Sequence, residues 1–182
     1  MHSQRQAKIM DFDYQPVLRG DLVTLRPLSS DDFDVLFEVA SDPAIWEQHP
    51  ITDRYGEEEF RTYFRDALAC GGTLVAVDTS DGRVIGSSRF HGYNAEQNEV
   101  EIGWTFLARS HWGGEYNGEM KRLMCRHAFR LVDSVVLLVG PENRRSRRAA
   151  EKIGAAPEGT RPDAGGRPSI VYRLRRSDEG EG

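Results

Sequence analysis

Between Val100 and Val139 the chain changes its hydrophobic period twice. Residues 100–107 alternate as a strand does, and Met120, Leu123, Met124, His127, Ala128 and Leu131 then recur at helical spacing. Residues 135–139 are a continuous apolar run, the pattern of a strand buried on both faces. A helix buries its apolar stripe only against another element, so this strand–helix–strand run calls for helices packed on a sheet.

The rest of the chain supplies the other elements. Residues 22–26 read as a first strand. Ser29 and Ser30, then Asp31 and Asp32, give a cap and an acidic first turn to a helix carrying Phe33, Leu36, Phe37 and Ala40. Asp42-Pro43 ends it, and an irregular stretch runs through Trp46, His49 and Pro50. Residues 57–68 form a second helix with Phe60, Tyr63, Phe64 and Ala67 on one face. Strands at 73–77 and 84–90 flank Thr79-Ser80-Asp81-Gly82, a hairpin signal. A helix over 143–153 stops at Gly154, and a strand over 169–174 closes the chain, with another short strand near 156–160. Antiparallel hairpins followed by crossovers predict an α/β fold on a mixed sheet.

The chain has 182 residues, 38% of them apolar and 29% charged, which suits one globular domain. That domain is expected over 18–176, with frayed ends at 1–17 and 177–182. A net charge of −5 argues against nucleic acid as a partner, and the basic run Arg144 to Arg148 is read as a solvated helix face. Cys70 and Cys125 are far apart, so neither a disulfide framework nor a zinc site is expected. Cys125 reads as a small buried hydrophobe, and His91, His111 and His127 are too scattered for a metal site. No apolar run approaches the ~18 residues of a membrane span, and the first residues lack a signal-peptide core. A cytoplasmic location is the expectation.

Three segments carry candidate chemistry. Strand alternation puts Val100, Ile102, Trp104 and Phe106 on one face, and Glu99, Glu101 and Gly103 on the other. Glycine inside a strand is unfavourable unless something approaches closely, so Glu101 beside Gly103 suggests a carboxylate next to space for a ligand. Glu99 is read as solvated. Next, the glycines from Gly113 to Gly118 lie at a helix start, where free N–H groups bind anions. Finally, Asn143 can cap a helix that carries Ser146 in its first turn. A solvated strand, a plain helix-start loop and a plain cap account for the same spacings, so the pattern alone leaves both readings open.

Taken together, Glu101-Ile-Gly-Trp104, Trp112-Gly-Gly-Glu-Tyr-Asn-Gly-Glu119 and Asn143-Arg-Arg-Ser-Arg-Arg-Ala-Ala-Glu-Lys-Ile-Gly154 resemble the GNAT N-acetyltransferase superfamily. The ribosomal-protein N-acetyltransferase-like branch is the nearest in kind. Leu18-Arg-Gly-Asp-Leu-Val-Thr-Leu-Arg-Pro-Leu28 and Glu158-Gly-Thr-Arg161 extend the likeness. The resemblance implies a mostly antiparallel twisted sheet with splayed middle strands and helices on both faces. It also implies acetyl-CoA as co-substrate, without a metal. Trp104, Thr105, Phe106 and Leu107 would contact its pantetheine, and Trp112, Gly113, Gly114, Glu115, Tyr116 and Asn117 its pyrophosphate. Asn143 and Ser146 would lie near the thioester, with Arg147 facing a ligand phosphate. The chain departs from the family pattern at Ser110, where Arg or Gln is usual, and at Glu115, where a small residue is usual.

The implied reaction moves acetyl to a primary amine of a small molecule or of a protein or peptide. An alkyl amine with pKa near 10.4 is almost wholly protonated at pH 7, so a base matters. Glu101 is the first choice and His49 the second, while Ser146 or Tyr172 would protonate the leaving thiolate. Trp46, His49, Asp53, Arg54 and Tyr55 would line the acceptor site. Neither nucleic acid nor membrane is expected as a partner; the sequence leaves the oligomeric state open, a homodimer being the commonest closed assembly. Two other readings fit the same sequence: a non-catalytic acyl-CoA-binding or protein-interaction module on this fold, and an unrelated nucleotide-binding α/β protein.

Overall fold

The computed structural model describes residues 11–177, so expectations for 1–10 and 178–182 fall outside it. The strands are β1 (Leu18–Arg19), β2 (Val23–Pro27), β3 (Thr73–Asp78), β4 (Val84–Asn94), β5 (Glu99–Leu107), β6 (Ser134–Val139), β7 (Ala156–Pro162) and β8 (Pro168–Arg175). The helices are α1 (Phe33–Ala40), α2 (Glu57–Ala69), α3 (Tyr116–Ala128) and α4 (Arg144–Lys152). The strands form one sheet in the order β1-β2-β3-β4-β5-β6-β8-β7. Every neighbouring pair is antiparallel except β5 and β6, which the crossover through α3 makes parallel.

The β5–β6 pairing is short. Glu99 to Glu101 face Ser134 to Val136, and the register ends there. Beyond it β5 stays with β4 (Ser87↔Phe106, Gly86↔Leu107), while β6 stays with β8 (Leu137↔Tyr172, Val139↔Ile170). Each strand keeps a full ladder on its outer side, so the two part in the middle of the sheet and leave a gap.

The sheet is covered on both faces. Against α3 and α4 lies a core that includes Leu25, Leu74, Phe90, Val100, Ile102, Met120, Met124, Val135 and Tyr172. Against α1 and α2 lies a second core of Leu36, Trp46, Phe60, Tyr63, Phe64, Val75 and Phe106. Burying each such side chain stabilises the fold by about 1.5–3 kcal/mol. Asp32 accepts the Ser29 N–H in a capping box and pairs with Arg26 at 2.7 Å, which fixes the chain leading into α1.

Two expectations need correction here. The strand faces are not constant, because Ile102 joins the α3 core whereas Phe106 joins the α1/α2 core. Within the expected frayed stretch, residues 12–14 are instead held, because their side chains and backbone find partners. Phe12 is 5% exposed and rests against Phe90, Tyr93 and His127, whose ring nitrogen lies 2.8 Å from the Asp13 carbonyl.

Candidate active site

The face change comes from a bulge in β5 at the mouth of the gap. Gly103 pairs with Arg89 and Phe106 with Ser87, so Trp104 and Thr105 together oppose Ser88 alone. Trp104 has φ +50°, a left-handed conformation that costs a non-glycine residue of order 1–3 kcal/mol. Neighbours on both faces hold it. From α2, the Tyr63 hydroxyl donates to the Trp104 carbonyl at 3.3 Å. From α3, the Lys121 ammonium donates to the hydroxyls of Thr105 and Ser88, which themselves lie 2.8 Å apart. Lys121 is buried, and that burial pulls its pKa down to about 8.

Glu101 sits three residues before the bulge. Its side chain occupies the space that Gly103 leaves, since a Cβ at Gly103 would lie 3.2 Å from Glu101 Oε1. Burial pushes the Glu101 carboxyl up to about 7, only partly opposed by Arg161 and Arg89. Its cross-strand neighbour is His91, whose ring lies 5.1 Å from that of Trp104. Glu99 is not solvated as expected but 4% exposed, because the β7–β8 hairpin covers it. Arg161 and Arg173 pair with it at 2.8 and 2.7 Å and hold its carboxyl below the usual range despite burial.

The expected acceptor residues gather on this face, in differing roles. His49 accepts the Ile51 N–H at 3.3 Å, and burial with the nearby Arg54 lowers its pKa to about 4. It is neutral at pH 7, and its pKa lies farther from neutrality than that of Glu101, a poorer match for proton transfer there. Arg54 is buried over the Tyr63 ring at 4.8 Å. Trp46 is buried in the core with its indole nitrogen bonded to the Ala40 carbonyl, so it supports Arg54 from beneath rather than presenting a polar group. Tyr55 is 45% exposed at the rim. A cleft of about 380 Å³ beside these residues is lined by Asp53, Arg54, Glu58, Glu59, Tyr63 and Asp66. A larger groove of about 520 Å³ lies at the β7–β8 end of the sheet, where Glu99 and Glu158 already neutralise Arg161, Arg173 and Arg175.

At the other end of the gap lies the glycine loop. Helix α3 starts at Tyr116, and no side chain caps its first turn. Gly113 has φ +71°, and a Cβ at Gly113 or Gly114 would meet nothing within 4 Å. Asp78 anchors this loop by accepting from Ser80, His111 and Tyr116, contacts that hold its carboxyl far below the usual range. Trp112 donates to the Leu107 carbonyl at 2.9 Å and lies 3.9 Å beneath the Arg145 guanidinium. Arg145 also donates to the Ile45 carbonyl, so one member of the arginine run ties the loop to α4 and to the acceptor side. Glu119 accepts the N–H groups of Asp21, Leu22 and Val23, clamping the β1–β2 turn onto α3.

Asn143 caps α4 as expected, accepting from the Ser146 N–H at 3.1 Å, and leaves Ser146 half-buried in the first turn. Tyr172 faces α4 across the sheet from Glu101, where its hydroxyl donates to Glu151 and accepts from Arg147. Arg147 also donates to the Pro141 carbonyl, so its guanidinium is partly committed within the protein. Arg89, His91, Lys121 and Arg145 were missed by sequence reasoning. The only signal for Arg89 was a charge inside an otherwise buried strand. Among the described residues no group of three or more His, Cys, Asp or Glu side chains is placed to hold a metal. Nor is any described helix long and apolar enough to cross a membrane.

These features can be set beside known proteins. The chain is 27% identical to the uncharacterized N-acetyltransferase p20 of Bacillus licheniformis over 167 residues, which cover 85% of this chain and 92% of that protein. Its fold matches that of a GCN5-related N-acetyltransferase from Brucella melitensis with a TM-score of 0.80 at 21% identity, covering 92% of this chain and 82% of the other. It also matches Mycobacterium smegmatis RimJ in complex with CoA-disulfide, with a TM-score of 0.63 at 20% identity, covering 88% and 85% of the two chains. Residues 23–156 match the family model for the acetyltransferase (GNAT) domain, and the chain belongs to that family of acetyltransferases.

Proposed function

We propose that this protein transfers acetyl from acetyl-CoA to a primary amine, with Glu101 as general base. The observation that carries this reading is the Glu101 carboxyl, placed over Gly103 beside the strained bulge and pushed up to about 7 by burial. A base is most effective with a pKa near the working pH, and this one matches.

The residues present fit acetyl-CoA. The uncapped first turn of α3 and the open face of Gly113 and Gly114 suit a pyrophosphate, with Trp112, Tyr116 and Asn117 around it. Glu115 is exposed, so its charge can turn to solvent. The gap beside Trp104 to Leu107 suits an extended pantetheine, and Asn143 and Ser146 stand at its α4 side. RimJ, which shares the fold, was solved with a CoA derivative.

Acetyl-CoA supplies the acyl group as a thioester, whose thiol has a pKa near 8.5 and leaves readily. The acceptor arrives as an ammonium ion. The Glu101 carboxylate takes its proton, directly or through water, and frees the lone pair that forms the N–C bond as the C–S bond breaks. Ser146 is assigned the proton for the departing thiolate, and its hydroxyl recovers a proton from the nitrogen, which sheds its second proton as it becomes an amide. Tyr172, already bonded to Glu151 and Arg147, is assigned support of α4 instead. His49, Arg54 and Tyr55 line the acceptor side.

The test is release of CoA thiol from acetyl-CoA across amino acids, polyamines, aminoglycosides and peptides. Turnover on one class, lost in Glu101→Gln, supports the reading. Tight acetyl-CoA binding with no release on any amine makes the protein a binding module instead.

A further inference from the structure

Two arginines on the Glu101 face have no ion-pair partner among the described residues. Arg89, opposite Gly103 on β4, is 5% exposed. Its Nε donates to Thr73 Oγ1 at 3.1 Å, whereas its Nη2 is buried with no hydrogen-bond partner. Its guanidinium lies 4.6 Å from the Trp104 ring and 5.8 Å from the Tyr63 ring. Arg54 is 9% exposed and lies over the same Tyr63 ring at 4.8 Å, with His49 Nε2 at 3.5 Å. Among the described residues no carboxylate reaches ion-pair distance of either. Glu99 is committed to Arg161 and Arg173, and Asp163 to Arg167. Asp53, Glu58, Glu59 and Asp66 line the cleft beside Arg54, and Asp53 acts on it through space, but none of them forms an ion pair with it.

This is an expensive arrangement for a folded chain to keep. A buried charge without a counter-ion is strongly destabilising, and buried donors are nearly always paired. The aromatic rings offset only part of that cost. Arg54 and Arg89 also repel one another, and burial together with Arg167 and Arg89 holds the Arg54 pKa below its ordinary value. A planar oxyanion is the group whose geometry a guanidinium fits best. The phosphates of acetyl-CoA are not that anion, since their cradle lies beyond Leu107, past the far end of β5 from Gly103.

On the basis of the acetyl-transfer reading above, we propose that the acceptor is a small amino-carboxylate, an amino acid or a molecule of that size. Its carboxylate is held by Arg89 and Arg54 while its amine faces Glu101. A peptide or protein N-terminus presents an amide where that carboxylate stands and would leave both arginines bare. A polyamine would add cations beside them.

The test uses the full-length protein, acetyl-CoA and matched acceptors: free amino acids and the corresponding amino-acid amides, with spermidine, kanamycin and short peptides alongside. Release of CoA thiol is the readout. The preferred amino acid should exceed its amide in kcat/KM by at least about tenfold, the discrimination of one charge-assisted hydrogen bond. Arg54→Gln and Arg89→Gln should each abolish that preference by raising KM for the acid, with KM for acetyl-CoA unchanged, and Arg89→Lys should keep part of it. If Arg89→Gln does not fold, Arg54→Gln gives the same comparison. Equal use of acid and amide, or a preference that survives the folded glutamine variants, overturns the inference. Turnover confined to spermidine, kanamycin or peptides also overturns it but leaves acetyl transfer standing. No release with any amine overturns both.

Discussion

Replacing Glu101 with Gln keeps the side chain's shape over Gly103 and removes its titration, so kinetics and stability can both be read against pH. The carboxyl titrates at about 7 in the folded protein, against 4.5 for the free side chain. Below pH 4.5 it is protonated in both states and contributes nothing to the pH dependence. Between 4.5 and 7 the unfolded chain sheds a proton that the folded chain keeps, so stability falls as pH rises, and above 7 the loss is complete. That shift bounds the penalty at about 3 kcal/mol, and residual solvent contact reduces it to about 1–2 kcal/mol. Glu101→Gln should therefore match the parent in Tm near pH 4.5 and exceed it by about 2–6 °C above pH 7. Turnover should move the opposite way. With Glu101 as base, kcat/KM rises through pH 7 and levels off. The Gln variant depends on free amine, about one part in a thousand near pH 7.4 for an amine of pKa 10.4, and should climb about tenfold per pH unit. A neutral-pH deficit of about 10²–10⁴ that narrows with rising pH is the expected signature. A variant within threefold of the parent at pH 7, with the same pH profile and the same Tm at pH 8, refutes Glu101 as a buried base.

Other outcomes follow from the same structure. Glu99→Ala removes the partner shared by Arg161 and Arg173, but Arg173 keeps Glu158 and Arg161 reaches solvent, so the cost in chemical denaturation should be about 1–3 kcal/mol. Glu119→Ala removes the acceptor for three backbone N–H groups and should cost about 2–4 kcal/mol, with a raised KM for acetyl-CoA as the start of α3 loosens. Lys121→Met replaces a buried ammonium, while Ser88 and Thr105 can still bond each other. The parent's folded Lys121 pKa of about 8 lies below the free value of 10.5, so its penalty is full below pH 8 and fades towards 10.5. The Met variant should accordingly gain Tm at pH 7 and lose that gain by pH 10. Turnover should fall if Lys121 also holds the bulge in place.

The succession of elements was legible because each carries its own period and its own stop: the Ser29 box, the Asp42-Pro43 break and the Asn143 cap are local chemistry. Glu101 was legible for a similar reason, since a glycine two residues along inside a strand needs explaining. The face of Trp104 was not. Strict alternation carries it to the side of Ile102, but an extra residue opposite Ser88 inverts the strand beyond it. Lys121 and Tyr63, the side chains that pin this bulge, lie 16 and 41 residues away in sequence. Glu99 misled in the same manner, because the arginines that bury it arrive 62 and 74 residues later.

The sequence by itself therefore determined the order of strands and helices, the glycine loop at the start of α3 and the carboxylate beside Gly103, all of which depend on neighbours within a few residues. Tertiary structure alone decided that β5 and β6 part after Glu101 and that His91 stands across from it. It alone also decided that Arg54 and Arg89 meet over one tyrosine ring and that the Glu101 proton is held to about 7. Register, burial and charge act through space, and the separations that set them exist only once the sheet has closed on its helices.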